Sequence, residues 1–567
     1  MRFLRPFLVL ALLLVVGGAA WVWFNRPSPV DLANYAPADS LLYVELNNPA
    51  DVARAIEHSD VWKAAAPITH SEPSSENAFT MAAAKSGIGP IEAVLFARSQ
   101  IALVVVGVNA SEQDETLRVR PEVALIAETH TSRWRTKPAV VAAVKQLAQI
   151  AYGASNCTER SADAEYVECS VAGGERKIIG AVDGTLVVVG NTENAVRSCL
   201  EARRGTRPTI VTDPEFVRVR SSFTADKPLG FGYISASNSA KLFSWAAPLL
   251  MGRGPGDRQL EQLLAVSAGK ILRGVAWTAV SKGGAIEDRY LFSLEPQVVS
   301  RLQPAFETAE RDQDFWKLVP ESFQSLTIYR SKEPARAWRS LDSAVAMKLD
   351  ALPAVLFGSL LKSSLSAYGI GDPKEVLTTL TPPLLTLRPS AAVEGSVLVA
   401  RVSDEARLRR SLVQEVFKAN NGQIVEGLQA ELDPELEFSA VFSDGYVLLG
   451  RTENMQPCLV ALRRSAALND DEKIKKAAHE SSAAILTYAN DELRLRNFIL
   501  TLLMLQGRRL NAEEVANLNT SVRDYVFSST ETRLGVDGIE RKTRSAFGQF
   551  STFVSLLRPE SSDVVSR

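Results

Sequence analysis

The stretch Asp183-Gly-Thr-Leu-Val-Val-Val-Gly-Asn-Thr-Glu-Asn-Ala-Val-Arg-Ser-Cys-Leu-Glu-Ala-Arg-Arg204 returns in altered form at Asp444-Gly-Tyr-Val-Leu-Leu-Gly-Arg-Thr-Glu-Asn-Met-Gln-Pro-Cys-Leu-Val-Ala-Leu-Arg-Arg464. Asp and Gly tolerate the positive φ angles of a type I′ turn, so each Asp-Gly pair between β-rich runs predicts a hairpin. The shared Thr or Asn can cap a following helix, and Glu there suits the helix dipole. Each copy therefore predicts a hairpin followed by a helix.

Other similar stretches occur in the same order in both halves of the chain. Strands arrive as hairpins with helices between them, a pattern that favours antiparallel or mixed sheets with helices on one face. We therefore predict an α+β fold made of two diverged tandem copies of one unit. The paired stretches are Leu41–Ala53 with Leu326–Trp338, Gly87–Leu95 with Gly369–Leu377, and Gly284–Arg289 with Asp537–Arg541.

Two kinds of signal predict where helices begin. Pro49 and Pro334 each follow a short strand pattern, and proline suits the first position of a helix because its missing N–H would be unpaired there. Apolar residues at helical spacing predict a further helix over Pro138–Tyr152.

The N-terminus predicts a membrane anchor. Arg2 and Arg5 precede an uncharged, apolar run over Phe7–Phe24, which as a helix would extend ~27 Å against a hydrocarbon core of ~30 Å. The competing interpretation is a cleaved signal peptide with a poor cleavage site at Gly18-Ala-Ala20. The apolar run continues past that site, which favours retention. The basic N-terminal flank places the remaining chain outside the cytoplasm, so we predict a single-pass inner-membrane protein with its bulk in the periplasm.

The full chain of 567 residues therefore divides into four predicted parts. Residues 1–30 form the anchor and a short linker, 31–312 the first unit, 313–557 the second unit, and 558–567 a polar tail. The formal net charge of −2 argues against a dedicated nucleic-acid binder, which would carry a basic excess.

The cysteines suit an oxidising compartment. Cys157 and Cys169 flank a polar, hairpin-like segment, so a local disulfide between them is the candidate covalent feature of the chain. Cys199 and Cys458 lie near equivalent positions of the two repeated stretches, where small buried side chains on a helix face are expected.

No recognisable motif indicates catalysis. The four histidines form neither an H-E-x-x-H motif nor an H-x-H pair, there is no G-x-S-x-G elbow, and no glycine-rich stretch has the spacing of a phosphate loop. We therefore assign no catalytic, metal-binding or cofactor-binding residue and expect no cofactor. A triad assembled across the fold is recognised by geometry and stays open.

Three apolar stretches are too short to span a bilayer. Core helices are the ordinary interpretation, while a lipid-facing groove or a partner interface is the alternative. The three stretches are Leu242–Met251, Leu352–Leu361 and Phe498–Leu505.

The order of these features resembles a bacterial family of unknown function whose members are membrane-anchored cell-envelope proteins. The matching pieces are the N-terminal anchor, Pro37–Ser40 before Leu41–Leu46, Gly87–Gly89, and the hairpin Ile178–Gly190 with its helix. The resemblance implies an envelope location, and it brings no catalytic residues with it.

These observations favour a non-enzymatic binding, scaffold or accessory factor of the cell envelope, tethered to the membrane and contacting an envelope protein or lipid. One alternative is a carrier or chaperone for a lipid or apolar polypeptide, with a cleft between the two units. The other is a hydrolase with a triad that no motif reveals.

Overall fold

The structure is a computed structural model. It describes residues 29–46, 48–69, 99–113, 116–131, 133–153, 156–171, 176–223, 228–236, 238, 269–309, 314–349, 351–391, 395–429, 431–463, 472–505 and 508–555. The predicted anchor over Phe7–Phe24, the stretches Gly87–Leu95 and Leu242–Met251, and the predicted tail from 558 lie outside these residues.

The described strands of the first half form a ladder in which every neighbouring pair is antiparallel. The order is β4–β5–β6–β7–β3–β2–β1–β8–β9–β10. Their bounds are β1 (Leu42–Leu46), β2 (Gln100–Gln113), β3 (Thr116–Glu128), β4 (Asn156–Ser161), β5 (Glu165–Ser170), β6 (Lys177–Asp183), β7 (Leu186–Gly190), β8 (Gly230–Ser235), β9 (Leu272–Lys282) and β10 (Ala285–Leu294).

The described strands of the second half pair in the order β14–β15–β16–β13–β12–β11–β17–β18–β19, with only β14 and β15 parallel. An antiparallel ladder between β10 and β19 joins the halves into one mixed sheet. The bounds are β11 (Ser325–Tyr329), β12 (Leu380–Arg388), β13 (Val397–Val402), β14 (Gln423–Glu426), β15 (Phe438–Ser443), β16 (Tyr446–Arg451), β17 (Ile485–Asn490), β18 (Phe527–Gly535) and β19 (Gly538–Ser545).

The helices begin where the proline signals predicted, at Pro49 and Pro334. The helix expected from Pro138 begins five residues earlier, at Arg133. The helices are α1 (Pro49–Glu57), α2 (Asp60–Thr69), α3 (Arg133–Tyr152), α4 (Glu193–Arg203), α5 (Pro214–Ser222), α6 (Pro296–Phe306), α7 (Pro334–Ala346), α8 (Ala351–Ser366), α9 (Pro373–Thr378), α10 (Glu405–Ser411, continued by a π-helical stretch Leu412–Phe417 and by Lys418–Asn420), α11 (Thr452–Arg463), α12 (Glu472–Glu480), α13 (Glu492–Leu505), α14 (Ala512–Val522) and α15 (Phe550–Ser555).

The repeated stretches form hairpins followed by helices, but the two turns differ by one residue. Asp444 and Gly445 form the second turn and both have positive φ, as a type I′ turn requires. In the first half Asp183 still pairs with Leu186, so the loop is Gly184-Thr185 and only Gly184 has positive φ. The type I′ prediction is therefore wrong for this turn, because glycine occupies the first loop position, the pattern of a type II′ turn.

Helices cover both faces of the sheet, so the expectation of helices on one face is wrong. Val187 contributes to the core beneath α3, whereas Val188 contributes to the core beneath α4 and α5. Successive strand residues point to opposite faces, and a consecutive apolar run is typical of a strand buried on both. In the second half α10 and α11 belong to separate cores in the same way.

The junction between the halves is packed with apolar side chains. Trp62 of α2 lies in one cluster with Phe498 of α13 and Phe547, and a second cluster joins α6, α7 and Ile539 of β19. The Lys542 ammonium also lies 2.8 Å from a carboxylate oxygen of Glu287 across the β10–β19 ladder. Hydrogen bonds, ion pairs and burial thus combine at this boundary.

Candidate functional site

A disulfide joins Cys157 and Cys169, which face each other directly on β4 and β5. It secures β4, an outermost strand of the first-half ladder. The other two thiols, Cys199 and Cys458, are buried on α4 and α11. Burial raises the pKa of each to about 12, so both are inert thiols and only the disulfide pair reports on the redox environment.

Two of the histidines, His58 and His130, contact backbone or amide oxygens. The Nδ1 atom of His58 lies 2.7 Å from the carbonyl oxygen of Arg54, and the Nε2 atom of His130 lies 3.3 Å from the side-chain carbonyl oxygen of Gln100. Neither ring bonds a Ser or Cys side chain. Within the part of the chain that the structure describes, no group of three or more His, Cys, Asp or Glu residues could hold a metal ion.

A buried ionic cluster fixes the chain where it enters the fold. Arg220 donates to Asp31 at 2.7 Å and to both carboxylate oxygens of Glu45 at 2.9 and 3.2 Å, and the Tyr43 hydroxyl donates to Glu45 at 2.5 Å. Burial raises the pKa of Glu45, with Arg220 and Tyr43 opposing that rise. The role of this cluster is structural, because it holds Asp31 against β1.

A second contact holds the residue before Asp31. The Gln100 side chain accepts from the backbone N–H of Val30 at 2.8 Å and donates to its carbonyl oxygen at 2.9 Å. The same Gln100 oxygen lies beside the His130 ring. His130 has a φ of +52°, and its backbone N–H donates a hydrogen bond to the Glu128 side chain at 3.1 Å. The start of the fold therefore lies next to the turn that precedes α3.

Threonines hold the start of α3 in place. The Thr129 hydroxyl donates to the carbonyl oxygen of Thr185, in the turn of the repeated hairpin, at 2.8 Å. The buried Thr136 hydroxyl donates to the carbonyl oxygen of Thr131 at 3.3 Å. The first turn of α3 is thus tied to the β6–β7 hairpin and presents its remaining side chains outward.

Those side chains and Glu165 of β5 form the basic–aromatic surface, which we define as Arg133, Trp134, Arg135, Lys137 and Glu165. The indole of Trp134 is 70% exposed, and the Arg135 guanidinium carbon lies 4.6 Å from the centre of its ring. Arg133 and Lys137 both pair with Glu165, the Lys137 ammonium at 3.1 Å. The hydrogen bond from Lys137 holds the pKa of Glu165 below its usual range.

The basic–aromatic surface borders an open concavity of about 560 Å³, lined by Arg133, Trp134, Lys137, Pro138 and Glu165. Three cations face one carboxylate, so the surface carries a positive excess. An exposed indole beside cations suits an anionic group attached to apolar or ring atoms. No nucleophile–base pair occurs among these side chains, so the arrangement can bind but offers no evident chemistry.

Two of the three apolar stretches can be placed. Phe498–Leu505 lies in α13, where Phe498, Ile499 and Leu503 are buried in the junction. Leu352–Leu361 lies in α8, where none of the described side chains is buried and Val355 is 66% exposed. Among the described helices, none combines the length and apolar character needed to cross a bilayer.

The sequence analysis did not identify the basic–aromatic surface because it began the helix at Pro138. The signal that could have found it is the run Arg133-Trp-Arg-Thr-Lys137, in which an aromatic residue is flanked by cations. An indole in such a run has no apolar neighbour along the chain to bury it. The sequence could not have shown that Glu165 completes the surface, because this depends on β5 lying beside α3 in the fold.

Comparisons with family models, curated proteins and solved structures found no match to this chain.

Proposed function

We propose that this protein is a membrane-anchored extracytoplasmic binding protein, a scaffold or accessory factor of the cell envelope that acts without catalysis. The observation that carries the proposal is that hydrogen bonds hold Val30 and Asp31 next to the turn that precedes the basic–aromatic surface. Residues 25–29, the link from the predicted anchor, extend at most about 17 Å. The short link keeps the fold next to the membrane and leaves a recognition surface beside the point of attachment.

The disulfide between Cys157 and Cys169 supports the compartment. Disulfides persist in oxidising spaces such as the periplasm and are rare in the cytosol. The predicted orientation of the N-terminal anchor places the same residues on that side.

We also propose that the two halves arose by duplication of one α+β unit. The strand orders support it: β5–β6–β7–β3–β2–β1–β8–β9–β10 in the first half corresponds position by position to β14–β15–β16–β13–β12–β11–β17–β18–β19 in the second. The main departure is β14, which runs parallel to β15, whereas β5 is antiparallel to β6.

The register of the β10–β19 ladder supports the same proposal. The stretches Gly284–Arg289 and Asp537–Arg541 share an Ile-Glu pair. An alignment on that pair makes Ile286 equivalent to Ile539 and, three residues further on, Arg289 equivalent to Lys542. Arg289 pairs with Lys542, and Ile539 pairs with Phe292. Each copy thus presents the same edge to the other, as in the isologous interface of a two-fold dimer. A fused dimer of this kind covers an edge strand of each unit.

The location is tested with an added thiol. Val536 is 91% exposed, and the native cysteines are either buried or in the disulfide. In intact spheroplasts, a membrane-impermeant maleimide is expected to label Val536→Cys and to leave the wild-type chain unlabelled. Labelling of Val536→Cys only after the membrane is permeabilised would place the fold in the cytoplasm and refute the proposal.

A further inference from the structure

The basic–aromatic surface lies close to the point where the chain leaves the predicted anchor. Val30 bonds to Gln100, and Gln100 contacts His130. Trp134 follows His130 by four residues, which span at most about 14 Å. Together with the short link after Phe24, these contacts keep the exposed indole within a few tens of ångströms of the bilayer.

We propose that the basic–aromatic surface rests on the anionic face of the bilayer in which the chain is anchored. The proposal rests on the proposed function, because it requires the anchor and the extracytoplasmic location. It names a partner for this surface, the phosphate-bearing headgroups of anionic lipids. Contact would fix the orientation of the whole sheet relative to the membrane, which a flexible link alone would not do.

The side chains have the chemistry that a membrane surface selects. Tryptophan prefers the boundary between headgroups and acyl chains, where its ring is in apolar surroundings and its N–H is hydrated. Within the described residues Arg135 pairs with no carboxylate, and its guanidinium lies over the Trp134 ring. Its guanidinium is therefore available for a lipid phosphate, which it matches with two parallel hydrogen bonds.

The rest of the surface has the corresponding shape and charge. The concavity of about 560 Å³ is open, so a lipid headgroup can reach the side chains that line it. Arg133 and Lys137 share one carboxylate, Glu165. Glu165 neutralises one of these two positive charges, so a phosphate on this surface would meet the remaining one together with the charge of Arg135.

The test uses the full chain in nanodiscs made with brominated lipids, which quench tryptophans that lie in the bilayer. Mixed phosphatidylglycerol–phosphatidylcholine discs are compared with phosphatidylcholine discs. The chain has eight tryptophans, so Trp134→Phe defines the share of the quenching that belongs to Trp134. We expect this share to be present in the anionic discs and smaller in the neutral discs.

Charge variants separate lipid contact from mere proximity. Each cation near an anionic membrane surface strengthens the binding of a protein to that surface by roughly fivefold. Arg135→Gln is therefore expected to lower the Trp134 share of the quenching by up to about that factor. Lys282→Gln, an exposed cation at the β9–β10 turn, removes the same charge and is expected to leave the share unchanged.

The outcomes distinguish this proposal from the one it rests on. Trp21 and Trp23 belong to the predicted anchor, so quenching that persists in Trp134→Phe shows that the anchor is inserted. Persistent quenching without any Trp134 share overturns the lipid proposal alone, and loss of all quenching overturns the anchor as well.

In cells, p-benzoylphenylalanine at position 134 is expected to crosslink to lipid. A single protein adduct instead would assign the surface to a protein partner and overturn the proposal.

Discussion

Replacing Arg220 by Met removes the cation that holds Asp31 and Glu45 together. The side chain of Glu45 is only 6% exposed and that of Arg220 is 27% exposed. Methionine fills a similar volume, so the variant tests charge and hydrogen bonding more than packing. The Tyr43 hydroxyl would remain the hydrogen-bond donor to the buried carboxylate.

The expected cost comes from leaving a buried carboxylate without its cation. Breaking a buried ion pair from one side costs about 3–5 kcal/mol, and we expect about 3 kcal/mol because solvent reaches the Arg220 guanidinium. Since each 1.4 kcal/mol is a factor of about ten, the population of the locally open state should rise by roughly 150-fold.

The effect depends on pH with a defined sign. Burial raises the pKa of Glu45 even with Arg220 present, and removing Arg220 raises it further. The folded state then holds the Glu45 proton more tightly than the unfolded state does. Stability is therefore favoured at low pH and lost as pH rises through the folded pKa. The difference between Arg220→Met and the wild type should therefore widen as pH rises above 4.5, the ordinary pKa of a glutamate carboxyl.

Amide hydrogen exchange of the full chain in detergent, measured by mass spectrometry, gives the local free energy. Faster exchange is expected in β1 and α5, with β13 unchanged as the internal control. Adding Glu45→Gln to Arg220→Met should restore much of the protection and remove the pH dependence. If the double variant opens as readily as Arg220→Met at every pH, the buried Glu45 charge is not the source of the cost.

Removing the disulfide by Cys157→Ser and Cys169→Ser should lower the stability of the β4–β5 hairpin by about 3 kcal/mol, which is the loop entropy expected for a separation of twelve residues. Hydrogen exchange with and without reductant measures this loss. Asp288 has a pKa that burial raises to about 6 from 3.8. The free energy of unfolding of the wild type, relative to that of Asp288→Asn, should therefore rise by up to about 3 kcal/mol as pH falls from about 7 to about 4. Denaturant titrations measure this difference. Gly284→Ala should destabilise the fold by about 1–3 kcal/mol, because its Cβ would overlap the Asp60 carboxylate and its φ is +72°.

Each of these outcomes has its own control. The wild type with reductant should match the serine variant, and equal protection in all samples would contradict the disulfide prediction. A pH-independent difference at Asp288 would show that its burial does not shift the titration. Gly283→Ala shares the positive φ, but its Cβ would meet only the flexible end of Arg544, at 3.1 Å. If Gly283→Ala and Gly284→Ala lose the same amount of stability, the overlap of the added Cβ with Asp60 is not the cause of the loss.

Local signals predicted elements well where neighbouring residues decide the conformation. Pro49 and Pro334 begin helices, and the Asp444-Gly445 turn has both φ angles positive. The Gly184-Thr185 turn differs because hairpin register is also set by the packing of the strand faces. The start of α3 was misplaced because the preceding polar residues carry no apolar periodicity, whereas contacts from Thr129 and Thr136 hold that first turn.

The sequence by itself determined the mixture of strands and helices, the proline-initiated helices and the apolar N-terminal run, because these depend on residues close in the chain. Only the tertiary structure decided which distant groups meet. The contact of Gln100 with Val30 and His130, and the pairing of Glu165 with Arg133 and Lys137, join segments far apart in sequence. Such contacts follow from strand order and helix packing, which no local pattern encodes, and they place a cationic, aromatic surface beside the start of the fold.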